Sequence, residues 1–280
     1  MKPIKVKNLN LRYTVESGQP LTFHADSDWS KGTVSYNNGT QLVTIAVSKR
    51  GTLKLSAKYV AQAEKEFASR FRIGDDMKQI YAEINTDPFM DSAIRHYNGM
   101  RLTLNDPWET TICFILSQYN NLKRIRKIVL EVKRRYGERS PDGSIGFPKP
   151  ERIMALSERE LMECGMGFRA KYIKSAAEMC TGSIDLKALN GKNYDTVKSS
   201  LMEINGVGEK VADCIALMGY GKMEAFPIDV WVKRTLENVY FKGRDKKISR
   251  LMEFAEDQWG ANRGYAQQYI FWNGMNMVKR

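Results

Sequence analysis

A glycine-containing turn between two helical segments constrains this chain more than any other feature of its sequence. Helical periodicity runs up to Ile204 and resumes at Lys210. The Gly206-Val207-Gly208 between them predicts a tight turn, in which glycine supplies the positive φ that the backbone needs. The amides of such a turn, and the unpaired N–H groups at the start of the second helix, face outward. The hairpin therefore suits a phosphate group.

Two residues near this turn, Lys210 and Asp229, form a candidate catalytic pair. Lys210 opens the second helix, and Asp229 follows nineteen residues later, between Pro227 and a further helical segment. Taken singly, a helix lysine is most often solvated, and an aspartate at this place is a natural N-cap. Capping and catalysis are compatible, because the helix dipole keeps a capping carboxylate ionised and able to stabilise positive charge.

The hairpin, the lysine and the distal aspartate together resemble the helix-hairpin-helix DNA glycosylase superfamily. The run Gly-Val-Gly-Glu-Lys-Val-Ala-Asp-Cys-Ile, from Gly206 to Ile215, is similar to its 8-oxoguanine DNA glycosylase/AP lyase branch. Four further similarities occur between Ser17 and Phe271, so the resemblance covers nearly the whole chain. It implies an α+β fold, with a small N-terminal antiparallel β-sheet packed on a mainly helical glycosylase body.

Periodicity supports this division independently of the resemblance. Residues 33–36 and 41–47 flank Asn37-Asn38-Gly39, a hairpin signal, and residues 49–51 predict a turn into a strand at 52–56. From residue 58 onward the pattern is helical. We therefore expect an N-terminal domain at 1–105, with strands to about residue 56, and a helical domain at 106–280 that contains the hairpin at about 194–218.

Charge and hydropathy favour a nucleic-acid binder. The chain has 44 Lys and Arg against 32 Asp and Glu, a formal charge of +12, which is typical of proteins that bind phosphate backbones. Basic charge alone would also fit a ribosomal or a membrane-surface protein. No apolar run approaches a membrane span, and the N-terminus does not resemble a signal peptide. We expect a monomeric intracellular protein located with DNA, in the cytoplasm and nucleoid of a bacterium or in the nucleus of a eukaryote.

The cysteines and histidines do not predict a catalytic cofactor. Cys113, Cys164, Cys180 and Cys214 lack metal-ligand spacing and are expected to be reduced and mostly buried. Some members of the resembled superfamily carry an iron–sulfur cluster on four cysteines near the C-terminus, and because no cysteine follows Cys214 we expect no such cluster here. The resemblance does imply a structural monovalent cation in the hairpin, held by the main-chain carbonyls of Met202, Ile204 and Val207.

The resemblance also implies a lesion pocket. The carbonyl of Gly18 would accept a hydrogen bond from N7–H of 8-oxoguanine, which guanine lacks. Gln267 would bind the Watson–Crick edge of the extruded base, and Phe271 would stack on its face. Cys214 and Met218 would lie near the opposite face. A Ser-Gly pair is also a common turn, and the apolar core is an equal alternative for Met218.

A second group of residues is expected to replace the extruded base and read its partner. The resemblance assigns this role to the segment containing Tyr119, Asn120, Asn121 and Arg124. It also assigns Phe168 as a wedge, with Arg169 next to it in the sequence as a second arginine that reads the partner base. Arginine contacts to a base contribute roughly 1–3 kcal/mol of discrimination. The alternatives are an interhelical corner, in which Asn120 or Asn121 caps the next helix, and a place in the core for Phe168. The backbone amides of Asn205, Gly206, Val207 and Gly208 would hold the DNA phosphate.

These residues predict an enzyme that excises 8-oxoguanine from double-stranded DNA and then nicks the strand, with Lys210 as nucleophile. Two departures from the branch limit the match. Trp231 stands where the branch has a histidine that contacts phosphate, and Tyr119 replaces the first asparagine of its triplet. The alternatives are a glycosylase for another lesion, such as an alkylated purine, and a non-catalytic helix-hairpin-helix DNA-binding protein.

Overall fold

The computed structural model describes residues 1–19, 22–25, 32–47 and 52–277. Its N-terminal part contains a five-stranded sheet in the order β1-β5-β4-β3-β2, with every neighbouring pair antiparallel. The expected hairpin at residues 37–39 is present, and Gly39 turns there with a φ of 86°. The expected turn at 49–51 lies outside the described residues. The strands are β1 Lys2–Ile4, β2 His24–Ala25, β3 Thr33–Asn37, β4 Leu42–Val47 and β5 Leu53–Ser56.

One short helix interrupts the region that the sequence pattern assigned to strands. Helix α1, Leu11–Glu16, begins at Asn10, whose side chain accepts a hydrogen bond from the amide of Tyr13 at 3.1 Å. Its buried face includes Leu11 and Val15, which are one turn apart. A helix of six residues leaves too few repeats for periodicity to be recognised, so the expectation of β structure throughout this region was wrong here.

The remainder of the described chain is mainly helical. Apolar residues recur with helical spacing from residue 108 to 136, and the structure divides this stretch into two helices at the polar residues 118–121. Two 3₁₀ turns, Gly167–Arg169 and Gly260–Asn262, introduce α9 and α14. The helices are α2 Val60–Arg70, α3 Met77–Ile84, α4 Pro88–His96, α5 Pro107–Ser117, α6 Leu122–Tyr136, α7 Pro150–Met154, α8 Glu158–Glu163, α9 Ala170–Gly182, α10 Tyr194–Met202, α11 Glu209–Tyr220, α12 Val230–Tyr240, α13 Ile248–Trp259 and α14 Arg263–Met277.

Two apolar clusters stabilise the molecule. The smaller one joins the sheet to α1 and α2 and is made of buried residues between Leu11 and Phe71. The larger one lies among the helices from α3 to α14. Helix α11 packs between α5 and α10, and its residues 211–219 are all buried, so the hairpin is held rigidly in the helical body. The structure thus confirms the expected α+β class. Within the described residues, no helix has the length and apolar character needed to cross a membrane.

Candidate active site

The glycine turn lies between α10 and α11, as the sequence predicts. Gly206 has a φ of 88°, and a Cβ atom there would lie 2.8 Å from the side chain of Tyr172. Glycine is therefore needed here both for the positive φ of the backbone and for the close approach of the turn to the Tyr172 side chain. The side chain of Asn205 donates to Ser175 Oγ at 2.8 Å, which fixes the turn to α9. Gly208 is the N-cap of α11 and has no side chain to accept from the first amides, so these amides are suited to an anion.

A buried carboxylate, not anticipated from the sequence, joins the two helices of the hairpin. Asp213 on α11 is only 4% exposed and accepts a hydrogen bond from the Tyr194 hydroxyl at 2.5 Å. Lys198 Nζ lies 3.0 Å from the same carboxylate. Burial raises the pKa of Asp213, while Tyr194 and Lys198 lower it. The contact fixes α10 against α11 and so holds Lys210, one turn earlier on α11, in register with the glycine turn.

Lys210 lies in the first turn of α11 and lines a cavity of about 1170 Å³. Its Nζ is 5.8 Å from the centre of the Phe114 ring. Cys214, one turn further along the helix, lines the same cavity. Burial raises the pKa of its thiol to about 11, against the opposing effect of Lys210. Cys214 is thus a neutral thiol beside the lysine at physiological pH and not a thiolate nucleophile.

Asp229 lines the cavity with Lys210 and also caps a helix. One of its carboxylate oxygens, Oδ1, accepts hydrogen bonds from the amides of Trp231 at 2.9 Å and Val232 at 2.8 Å. Burial raises the pKa of the carboxyl group, and the two amides and Lys210 oppose that effect. Asp229 is therefore the N-cap of α12, and it caps that helix from a position on the cavity wall.

The cavity brings together all the residues that the sequence assigned to the lesion pocket. They come from the loop after α1, from α11 and from α14, three segments that are far apart in the chain. Besides Lys210 and Asp229, the cavity is lined by Gly18, Cys214, Met218, Gln267 and Phe271. Asn120 and Asn121 lie at its wall as well.

The amide of Gln267 has an orientation that the sequence could not indicate. Its Nε2 donates to the carbonyl of Pro227 at 3.0 Å, which directs Oε1 the other way. Among the described residues, Oε1 is buried and has no hydrogen-bond partner. A buried acceptor without a partner is costly, so it marks a place where a ligand donor would be bound favourably.

Gly18 occupies a position that only glycine fits. Its φ is 78°, and a Cβ atom there would lie 3.0 Å from Cε1 of Phe271 and 3.4 Å from Leu122. Its backbone is therefore in direct contact with the ring that is expected to stack on the base. Residues 20 and 21, which follow in the same loop, lie outside the described residues.

The polar residues in and after the loop between α5 and α6 differ in their surroundings: the two asparagines bond to neighbouring backbone, whereas Tyr119 and Arg124 are exposed. The side chain of Asn121 caps α6 by accepting from the Arg124 amide at 2.9 Å, and Asn120 Nδ2 donates to Leu116 O at 3.0 Å. Asn121 is thus the cap of α6, as the interhelical-corner interpretation expects of one of the two asparagines, whereas Asn120 bonds back to α5. Tyr119, by contrast, is 94% exposed and has a φ of 48°, and Arg124, in the first turn of α6, is exposed as well.

Arg169 is buried against this loop. It is 3% exposed, and its guanidinium donates to the main-chain oxygens of Gln118 at 2.7 Å and Tyr119 at 2.9 Å. Its Cζ lies 4.4 Å from the centre of the Phe168 ring. Phe168 is 51% exposed and so belongs to the surface and not to the core. Burial and the nearby Arg124 lower the pKa of Arg169.

Comparisons with known families agree with this geometry. Residues 2–111 match the model of the N-terminal domain of 8-oxoguanine DNA glycosylase, and residues 112–260 match that of the HhH-GPD superfamily base excision DNA repair proteins. The chain belongs to the HhH-GPD superfamily, in its 8-oxoguanine glycosylase branch.

Individual proteins show how far the similarity extends. A probable N-glycosylase/DNA lyase of Methanothermobacter thermautotrophicus is 30% identical in an alignment of length 224 that covers 72% of this chain and 71% of that protein. The structure of MBOgg1 in complex with a low-affinity DNA ligand has a TM-score of 0.89 at 31% identity, covering 98% of this chain and 100% of that one. An 8-oxoguanine glycosylase/lyase of Clostridium acetobutylicum, bound to double-stranded DNA with cytosine opposite 8-oxoguanine, has a TM-score of 0.88 at 24% identity, covering 99% and 100%. This last likeness supports the fold alone.

Proposed function

We propose that the protein is a bifunctional DNA glycosylase and AP lyase that extrudes 8-oxoguanine from double-stranded DNA, excises it and nicks the strand. The observation that carries the proposal is that Lys210, Asp229, Gly18 and Gln267 line one cavity beside a phosphate-binding hairpin. A base inside the duplex hides its glycosidic carbon, so the nucleotide must leave the stack before an enclosed amine can reach it. Relatives named as N-glycosylase/DNA lyases support the same reaction.

The proposed chemistry uses the Lys210 amine as the nucleophile and the Asp229 carboxylate as the group that stabilises charge. Lys210 Nζ forms a bond to C1′ as the glycosidic bond breaks, and the departing base takes the bonding electrons together with the proton that the amine nitrogen loses. Asp229 stabilises the positive charge that develops on the sugar. The aminal opens to a Schiff base, which acidifies C2′. Loss of the C2′ proton expels the 3′ phosphate and nicks the strand.

The recognition of a guanine-type base follows from the orientation of Gln267. Its Oε1 has no partner among the described residues and is free to accept, and the Watson–Crick edge of 8-oxoguanine offers donors at N1 and at the exocyclic N2. Adenine has an acceptor at N1 and would be repelled. The carbonyl of Gly18 completes the selection by accepting from N7–H, which distinguishes 8-oxoguanine from guanine.

The proposal includes a structural cation in the hairpin and no catalytic cofactor. The carbonyl of Ile204 accepts one hydrogen bond, from the Val207 amide at 2.9 Å, and so retains a lone pair for an ion shared with the carbonyls of Met202 and Val207. Such an ion would bridge the turn to a phosphate. Within the described part of the chain, no group of three or more His, Cys, Asp or Glu side chains could hold a metal. The proposal further includes a monomer that acts on DNA inside the cell, and the domain division at residue 105.

Borohydride trapping on a duplex containing 8-oxoguanine tests the proposal. A covalent protein–DNA adduct and release of free 8-oxoguanine are the expected results. Excision of alkylated purines without 8-oxoguanine release would indicate a glycosylase for another lesion. Binding without any adduct would indicate a non-catalytic helix-hairpin-helix protein.

A further inference from the structure

The loop that carries Gly18 is fastened to the helical body by side chains outside the catalytic set. Gln268 on α14 donates from Nε2 to the carbonyl of Ser17 at 2.7 Å. Arg126 on α6 donates to the carbonyl of Val15 at 3.0 Å. Both bonds join segments more than a hundred residues apart, so they fix the loop relative to the cavity and not merely relative to its own domain.

Gly18 lies between two buried residues. Ser17 is fully buried and Gln19 is 1% exposed. The Gln19 amide donates to the carbonyl of Arg101 at 2.6 Å and accepts from the Thr103 amide at 2.6 Å. Gly18 itself is partly exposed and lines the cavity, so the hydrogen bonds of its two neighbours restrict where its backbone can lie.

We infer that Gln268 is a positioning residue for lesion recognition, because its bond to Ser17 places the backbone of Gly18 where it can read the base. This inference rests on the proposed 8-oxoguanine activity and names the residue on which its selectivity depends. Gln268 is 2% exposed, and its amide nitrogen is used by Ser17.

The geometry explains why such an anchor is needed. Discrimination at Gly18 depends on a single hydrogen bond, whose strength falls steeply with distance and angle. Helix α14 also carries Gln267 and Phe271. The Gln268 bond therefore joins the Gly18 loop to the same helix that carries the residues proposed to bind the edge and the face of the extruded base. A small shift of the loop would therefore weaken the hydrogen bond between the Gly18 carbonyl and the base without displacing Lys210 or Asp229.

The test compares two activities of one enzyme. Gln268→Met keeps the side-chain length and removes the donor. We expect single-turnover excision of 8-oxoguanine to fall about tenfold, as for the loss of one buried hydrogen bond. The lyase rate on a preformed abasic site, which needs no base recognition, should change less than about twofold. An equal loss in both rates, or no loss in either, would overturn the inference.

Gln41→Met is the matched control. Gln41 is fully buried, and its amide bonds the backbone of Tyr59 within the N-terminal part, away from the cavity. Its substitution should lower the melting temperature while leaving the ratio of excision to lyase rate unchanged. If Gln41→Met changes that ratio as much as Gln268→Met does, general destabilisation explains the effect and the inference fails.

Gln268→Glu provides a second readout that does not depend on how well the methionine variant folds. A protonated glutamic acid can donate to the Ser17 carbonyl, whereas an ionised one repels it. The ratio of excision to lyase rate should therefore recover as the pH is lowered, and a ratio independent of pH would contradict the inference. If the unaltered protein releases no 8-oxoguanine, the proposed function itself fails. An active unaltered protein with unaffected Gln268 variants would overturn only the positioning role.

Discussion

The guanidinium of Arg169 holds the main-chain oxygen of Tyr119 at 2.9 Å. The same group binds the carbonyl of Gln118, whose side chain donates to the carbonyl of Gly206 at 2.9 Å. One arginine thus connects the loop expected to face the orphaned base with the hairpin expected to face the phosphate. In this arrangement Arg169 supports the loop, and it must exchange these bonds before its own donors can reach a base.

Lys210→Ala should abolish covalent trapping and base release while leaving DNA affinity largely intact. The amine is the only group on the cavity wall to which we assign bond formation. Phosphate binding, in contrast, depends on the hairpin backbone and on surrounding cations. Borohydride trapping and a fluorescence-anisotropy titration measure the two properties separately. Trapping that survives in this variant would assign the nucleophile to another residue.

Asp229→Asn should bind lesion DNA normally, but its turnover rate should fall on the order of a hundredfold. The reason is that the lost charge acts mainly on the transition state. An asparagine can still accept from the amides of Trp231 and Val232, so the helix cap is retained. Since burial raises the pKa of Asp229, the acidic decline of the unaltered enzyme should begin at a higher pH than for an ordinary aspartate.

The control for this substitution is Asp229→Ala, which removes the cap as well and should cost about 1 kcal/mol of stability. Calorimetry of the two variants separates the roles. If Asp229→Asn loses binding, rate and melting temperature together, Asp229 is a structural cap alone.

Glu109→Gln should flatten the dependence of stability on pH near neutrality. Burial raises the pKa of Glu109 to about 7, with a further contribution from Asp106, against the opposing charges of Arg70 and Lys133. Because the folded protein binds this proton more tightly than the unfolded chain, the stability that it contributes is lost as the pH rises from about 4.5 to about 7. The loss is at most about 3 kcal/mol. Melting temperatures of both proteins at several pH values test this, and parallel curves would contradict it.

Residues that are placed by a local pattern can be predicted from the sequence. The glycine turn, Lys210 and Asp229 are identified by spacing along the chain, because a turn and a helix start are local structures. The bond from Arg169 to Tyr119 joins residues fifty apart, and the Gln267 amide is oriented by a carbonyl forty residues away. No periodicity encodes such contacts, so their geometry became known only from the structure.

Opposite-base preference should be relaxed in this enzyme, because Tyr119 is the residue of its loop that projects freely. Asn120 and Asn121 use their side chains within the loop and as the cap of α6, whereas Tyr119 is 94% exposed. A phenol stacks beside any base but lacks the paired donor and acceptor of an amide. Losing one polar contact costs about 1 kcal/mol of discrimination, roughly fivefold. Cytosine should remain favoured through Arg124 and Arg169, with measurable excision opposite adenine, guanine and thymine.

Single-turnover excision from four duplexes that differ only in the opposite base, with the unaltered protein and Tyr119→Asn, measures this preference. Asparagine tolerates a positive φ better than tyrosine does, and Tyr119 has a φ of 48°, so the variant should fold at least as stably and any change in rate should come from recognition. Tyr119→Phe is the matched control, because it keeps the stacking face and should stay as permissive as the unaltered enzyme. We expect the asparagine variant to be about fivefold stricter for cytosine. An unaltered enzyme that already requires cytosine, or an asparagine variant that is no stricter, would show that Tyr119 does not set the preference and that Arg124 and Arg169 suffice.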